Sequence, residues 1–414
     1  MILGTEETRA FSSYNDQKAL IQKLEDTITY SEVKKNDLLT GEIIDCPIIR
    51  QSFETSPIPE IKPGITYPRL ESNRSFTVTK GIDEQMLEAM DASRLVLGVP
   101  TSKNFSPMPL AVTALPSLVS QAIGGKSSML CQTEEKNNSR NMRAEIKSAI
   151  INECLSLRKD DCKIYQCDNM VRYVAGSNYK YLPISELLEA LESGLNKAFA
   201  GFTYMMGSVS HQYVEFSFML NDVKLEKEVN DMLSQAGVMG NYTPGLIFST
   251  SNTGDSGANL FPILYGGLRG NIVIETPLKL EHTGNASMEK FAENVDKIAA
   301  LIKGAPDKLE ALVDVPVKHP AIAFRNAACK GNLPLASFAE QAGIFEATYG
   351  NLATALDLYF ELINCFTAYA NQTQMDPLRR MKLMNGLAKV FLDINKSITE
   401  VDTDIDLTIY NTAA

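Results

Sequence analysis

The chain of 414 residues contains no tryptophan and only three histidines, His211, His282 and His319, scattered far apart. That scarcity argues against histidine-based metal sites. Phosphate-loop, dinucleotide-binding, zincin-helix and nucleophile-elbow signatures are missing as well. Gly124-Gly125-Lys126-Ser127-Ser128 imitates the end of a phosphate loop, but Ser120 stands where its first glycine belongs. Most enzyme classes lose their support, and no cofactor is implied. The opening Met-Ile-Leu-Gly-Thr-Glu-Glu lacks a basic segment followed by an apolar one, which predicts a cytoplasmic protein, the host cytoplasm if phage-encoded. One uncharged stretch, Asn104 to Gly125, is interrupted by Pro107, Pro109 and Pro116. It reads as a loop leading into a buried helix, not as a membrane span.

Cysteine is modest and odd in number, seven in all, which fits free thiols better than a disulfide framework. Cys162 and Cys167 are the only close pair. No second pair and no histidine cluster accompanies them, so no metal site is expected. Positive charge is also in the minority: 39 Lys and Arg against 50 Asp and Glu give a net charge of -11. Such a surface repels polyanions except where cations are gathered locally.

What is present is a globular composition, 44% hydrophobic and 21% charged, enough for one large core or two medium ones. Residues 1–130 read as an extended N-terminal arm or subdomain, with a helix at Gln17 to Thr27, a Pro-rich segment from Pro47 to Pro68 and a second helix at Asp83 to Ala92. The polar run Gln132 to Asn141 marks the boundary, and 131–414 form the core domain. Apolar spacing predicts helices over Met142 to Leu157 and, after Pro183, through Leu187, Leu188, Leu191, Leu195 and Phe199. Alternation predicts a hairpin of Phe202 to Val209 with Gln212 to Leu220, then strands near 245–249, 258–265 and 270–276. The short connections make the sheet antiparallel.

Beyond Gly284 the pattern is helical: a stripe from Met288 to Ile302 capped by Asn285 or Ser287, then helices near Pro334 to Ala347, Asn351 to Ala370 and Pro377 to Lys396. Glu400 to Ile409 alternates with period two, and Asp402, Asp404 and Asp406 resemble half a calcium loop without its glycine and its late glutamate. An edge strand protected by aspartates accounts for the same residues. The fold class is therefore α+β, a central antiparallel sheet flanked by helices, with a helical C-terminal part.

Two constellations are candidate sites. Between Lys126 and Lys180 lie ten basic and seven acidic side chains, a local reversal of the overall charge. The cations Arg140, Arg143, Lys147, Arg158, Lys159, Lys163, Arg172 and Lys180 are interleaved with Tyr165, Tyr173, Tyr179 and Tyr181. Cations beside aromatic faces are what single-stranded nucleic acid requires, for phosphate neutralisation and base stacking. The bland counterpart is a mixed-charge helix surface with tyrosines at a core margin. The second candidate is the small polar turn after Leu246-Ile247-Phe248, with Asn252, Asp255 and Ser256, followed by His282. Turn formation and a capping or hydrogen-bonded structural histidine are the favoured account of those residues.

The order of these elements is recognisable. Val171-Arg172-Tyr173-Val174 through Tyr179-Lys180-Tyr181-Leu182-Pro183, the turn Ser251 to Ala258, the helix entry His282-Thr283-Gly284 and Thr354-Ala355-Leu356-Asp357-Leu358-Tyr359 together resemble the phage- and plasmid-borne family called domain of unknown function 932. The resemblance covers roughly residues 140 to 395 and carries no agreed activity. It implies a mobile-element origin and an association with DNA handling. Members usually carry histidine or glutamate in the turn and a Cys-Asn pair in the next strand; Thr253 and Leu268-Arg269-Gly270-Asn271 stand there instead. The expectation is a non-enzymatic, self-associating protein that binds or protects single strands. A self-assembling virion component and a metal- or anion-dependent enzyme centred on His282 are the alternatives.

Overall fold

The computed structural model describes residues 8–43, 64–67, 74–77, 95–100, 105–131, 144–167, 170–210, 212–251, 253, 256–266, 270–373 and 377–399. The chain runs β1 (Thr8–Phe11), α1 (Tyr14–Glu25), β2 (Ile28–Lys34), β3 (Leu39–Ile43), β4 (Gly64–Tyr67), β5 (Arg74–Thr77), β6 (Leu95–Pro100) and β7 (Phe105–Pro109). Next come α2 (Leu115–Ile123), α3 (Ser128–Cys131), α4 (Ala144–Ser156), β8 (Asp161–Cys167), β9 (Met170–Gly176) and α5 (Ile184–Ala198). The central part is β10 (Phe202–Ser210), β11 (Val214–Leu220), α6 (Val223–Gln235), β12 (Tyr242–Thr250), β13 (Ala258–Gly266), β14 (Ile272–Val273) and β15 (Leu278–Leu280). Helices follow to the end of the described residues: α7 (Met288–Lys303), α8 (Ala305–Val313), α9 (Pro320–Lys330), α10 (Leu335–Tyr349), α11 (Ala355–Thr373) and α12 (Pro377–Thr399). The fold is α+β.

Among the described residues the main sheet has seven strands in the order β1-β10-β11-β12-β13-β14, with β15 also on β13, and every pairing is antiparallel. The predicted hairpin is β10 with β11, and the strands expected near 245 and 258 are β12 and β13. Alternation on β11 sends Phe216 and Phe218 inward to a core shared with α5, α7 and the C-terminal helices, and Glu215, Ser217 and Met219 outward. The helix caps follow chemistry expected of these residues: Asp222 accepts from Leu225 N at 3.0 Å before α6, and Ser287 accepts from Lys290 N at 3.3 Å before α7.

Two smaller antiparallel sheets, β2-β8-β9 and β5-β4-β3-β6-β7, share a second core with α2 and α4, built from Leu39, Val96, Leu118, Ile151, Ile164 and Val174 among others. Sequence on both sides of the 130/131 boundary is woven together here. β1 pairs β10, β2 pairs β8 along its whole length, and Ala111 N donates to Val171 O at 2.9 Å. Helix α1 is keyed in by Gln17, which is fully buried and donates to the carbonyls of Ser208 and Glu215. Only glycine at 207 leaves room, since a Cβ there would sit 2.0 Å from Gln17 Oε1.

Several sequence expectations change. Part of the proline-bearing stretch read as a loop is a strand, β7, whose register with β6 runs from Phe105 to Pro109. It is tolerated at a sheet edge, where a missing proline N–H interrupts no second ladder. Helices α6, α8 and α9 and strand β2 had no counterpart in the sequence reading. The helix expected at Asp83 to Ala92 and the alternating tail Glu400 to Ile409 lie outside the described residues. Among the described residues, no helix is long and apolar enough to cross a membrane.

One polar knot anchors the second core. Asn152 on α4 accepts from Thr40 N at 2.5 Å and donates to Thr40 O at 2.8 Å, while Ser148 Oγ adds a second donor to that carbonyl at 2.6 Å. The amide supplies donor and acceptor together, matching the two main-chain groups as a neighbouring strand would. Asn152→Leu keeps the volume and leaves the buried Thr40 N–H without an acceptor, while Ser148 still serves the carbonyl, so it is expected to cost about 1–3 kcal/mol, read as a lower urea midpoint at unchanged slope.

Candidate nucleic-acid interface

Sheet β2-β8-β9 has two chemically different faces because its side chains alternate. One face carries Cys162, Ile164 and Val174 into the second core. The other carries a row of tyrosines in register, Tyr30 opposite Tyr165 and Tyr165 opposite Tyr173. After β9 the chain turns at Gly176 and lays Tyr179, Lys180 and Tyr181 over the same face. Ring centroids lie 5.2 Å apart for Tyr30 and Tyr165, 5.1 Å for Tyr30 and Tyr181, and 5.5 Å for Tyr173 and Tyr179. These are contact distances for tilted and edge-to-face rings.

The segment 179–181 is pinned from two sides. Lys180 N donates to His282 O at 3.0 Å, and His282 Nδ1 lies 3.2 Å from Lys180 O. A carbonyl only accepts, so Nδ1 carries the hydrogen and Nε2 is left to accept from Thr250 Oγ1 at 3.4 Å. The imidazole also stacks on Tyr179 with centroids 5.6 Å apart. On the other side, Glu25 at the end of α1 accepts from Tyr181 Oη at 3.2 Å and from Ile184 N at 2.5 Å. One carboxylate therefore caps α5 and orients the tyrosine beside it.

Between these groups is a shallow depression of about 290 Å³ lined by Tyr30, Lys163, Tyr179, Lys180 and Tyr181. Tyr30 is 39% exposed, Tyr165 and Tyr179 are buried beneath, and Tyr173 and Tyr181 are half-buried. Lys163 Nζ donates to Tyr179 O at 2.9 Å, which holds its ammonium at the rim, and Lys180 is exposed. Burial pushes the phenols of Tyr30, Tyr165 and Tyr181 far above their ordinary range, so they remain neutral. Glu32 stands opposite Lys163 in register. The face is aromatic first and cationic second.

The continuous basic strip is not what the structure builds. Lys147 on α4 and Arg172 on β9 are buried, 1% and 4% exposed, and each is engaged within the protein. Arg158 turns away to donate from Nε to Ala122 O at 3.0 Å, beside the left-handed Gly124 that ends α2. Lys159 is exposed after α4, outside the depression. Arg140 and Arg143 lie outside the described residues. The face of α4 buries Lys147, the turn after α4 directs Arg158 to α2, and a β-bulge buries Arg172 beside Tyr165, which leaves Lys163, Tyr173, Tyr179 and Lys180 together.

In the candidate ligand turn, Asn252 and Asp255 lie outside the described residues. Ser256 is buried, accepts from Asn259 Nδ2 at 2.7 Å and sits against Met381 of α12, so it serves the sheet end. His282 is also buried, and its contacts are those of a structural strap. Cys162 faces the second core while Cys167 lies against Thr27, and five strand steps separate them by about 16 Å. They share no metal. Tyr30 was missed by sequence reading; the alternating, β-branched run Ile28 to Lys34 was the available signal.

No protein-family model, curated protein or solved structure matches this chain.

Desolvation holds His282 below the ordinary histidine value of 6.5, although its hydrogen bond to the Lys180 carbonyl pulls the other way. A depressed folded value means that the unfolded chain binds the proton first, so stability is full above the ordinary value and falls as pH drops below it towards the folded value. Urea unfolding between about pH 7.5 and 5.5 should show this loss. His282→Gln, which cannot titrate, should flatten that part of the profile.

Proposed function

We propose that this protein binds single-stranded nucleic acid, with bases stacking on the tyrosine face and phosphates meeting Lys163 and Lys180. The observation that carries the reading is the gathering of Tyr30, Tyr165, Tyr173, Tyr179 and Tyr181 on one sheet face, from two distant parts of the chain, with two ammonium groups at its rim. Tyr30, Tyr173 and Tyr181 keep part of their rings accessible above the buried Tyr165 and Tyr179, and rings held by a sheet offer π-surfaces at little conformational cost, as in sheet-based single-strand binders. The resemblance to a mobile-element family associated with DNA handling points the same way. In this reading the protein acts without catalysis in phage or plasmid DNA metabolism, as a self-associating cytoplasmic protein.

An acidic chain with only two lysines at the site cannot rely on counterion release. Its affinity must come from stacking, so the log–log salt slope for a fluorescent oligothymidylate should be no steeper than about -1.5. Tyr30→Ala and Tyr181→Ala should each weaken binding by about 1–3 kcal/mol in fluorescence anisotropy, whereas Tyr30→Phe should leave it nearly unchanged. Absence of binding at low salt, or equal affinity of the alanine variants, would remove the basis for this function.

A further inference from the structure

The outer face of the main sheet carries a second site. Ile247, Ile263 and Tyr265 point outward there, and α12 covers part of them with Met384 and Ala388. The uncovered part is a groove of about 490 Å³, within the range of small-molecule sites. Its apolar wall includes Met205, Met206, Met219 and Met384. Methionine is flexible and polarisable and adapts to the shape of a ligand. Met206 is 54% exposed, so the groove opens to solvent along β10.

Inside this apolar wall sits an ion pair. Glu215 is 2% exposed and accepts from Arg380 Nη2. Burial pushes the Glu215 carboxyl up, and the guanidinium offsets part of that rise. Desolvation makes such a pair no better for stability than apolar residues of similar volume, so folding alone gives no reason for it. Arg380 is also incompletely used. Its Nε is buried with no hydrogen-bond partner among the described residues, and its side chain, 37% exposed, lines the groove with donors beyond the one that Glu215 takes.

We propose that the groove binds a small, elongated, uncharged apolar molecule bearing a carbonyl oxygen, which accepts a hydrogen bond from Arg380. The pair is neutral as a whole. A ligand carboxylate would meet Glu215 and a ligand cation would meet Arg380, whereas a carbonyl takes up an unused donor without adding charge. The methionine wall receives the body of the molecule. This inference does not depend on the tyrosine face.

The test uses the full chain with prodan, a neutral naphthalene carrying a propionyl group, and its analogue 2-dimethylaminonaphthalene, which lacks the acyl group. Fluorescence titration should show prodan saturating at one site per chain and binding about tenfold or more tightly than the analogue. Replacing both charges together, Glu215→Met with Arg380→Met, leaves no buried charge unpaired and should erase that preference while the analogue still binds. Arg380→Lys keeps the charge without the planar donor edge and should reduce the preference, which covers the case in which the double variant does not fold. An unchanged preference in either variant would overturn the proposal. So would a failure of prodan to bind, with Met206→Glu converting a dimer into a monomer in sedimentation; the groove would then join copies of the chain.

Discussion

The reciprocal hydrogen bonds between Lys180 and His282 are the constraint on which the site depends. They join a segment that follows the small three-stranded sheet to the loop that follows the main sheet, 102 residues later. Without that clasp, Tyr179 and Tyr181 would belong to an ordinary turn after β9. With it, two rings are laid over the row formed by Tyr30, Tyr165 and Tyr173. The neutral imidazole does this with Nδ1 donating to a carbonyl and Nε2 accepting from a hydroxyl, on a buried ring. A protonated ring would carry a charge in a desolvated position, which is why burial depresses its affinity for the proton.

A carboxylate plays the matching part on the opposite side. Glu25 ends α1, and α1 is itself fastened to the main sheet through Gln17, so the cap of α5 and the orientation of Tyr181 are set by the first helix of the chain. The N-terminal segment thus contributes in two ways: Tyr30 adds a ring to the face, and Glu25 positions another. Each interaction is small by itself, on the order of 1 kcal/mol for a cap or a hydrogen bond. Their effect on geometry is larger than their effect on stability, because they decide which side chains share a surface.

Much of the fold was legible from local pattern. The β10–β11 hairpin, strands β12 and β13, and helices α5, α7, α11 and α12 follow from alternation, from helical apolar spacing and from proline or serine at helix starts. The site was legible in composition but not in arrangement. Tyrosines and lysines between Lys163 and Tyr181 were apparent, yet Arg172 is the extra residue of a β-bulge and is buried beside Tyr165 and Cys167 under α1. Lys147 lies on the face of α4 that is buried, and Arg158, after the end of α4, reaches across to α2. Tyr30 joins Tyr165 through a β pairing 135 residues apart, and no local pattern encodes which strand pairs with which. The Glu215–Arg380 pair is of the same kind, since its partners lie 165 residues apart on a strand and a helix.

The two candidate sites meet at a single strand. On β12, Thr250 faces the His282 clasp while its neighbour Ser249 donates to Met381 on α12, at the border of the groove. One residue step therefore separates contacts that serve the tyrosine face from contacts that serve the groove, because alternate side chains leave a strand on opposite faces. Proximity of this sort does not by itself make communication. β12 is hydrogen-bonded to β11 and to β13 along most of its length, and a strand held on both edges has no second arrangement to adopt without breaking a ladder. Coupling between sites requires an element with two states that both ligands bias. A central strand is closer to a rigid wall, so the ligands proposed for the groove and for the tyrosine face would bind without coupling through β12.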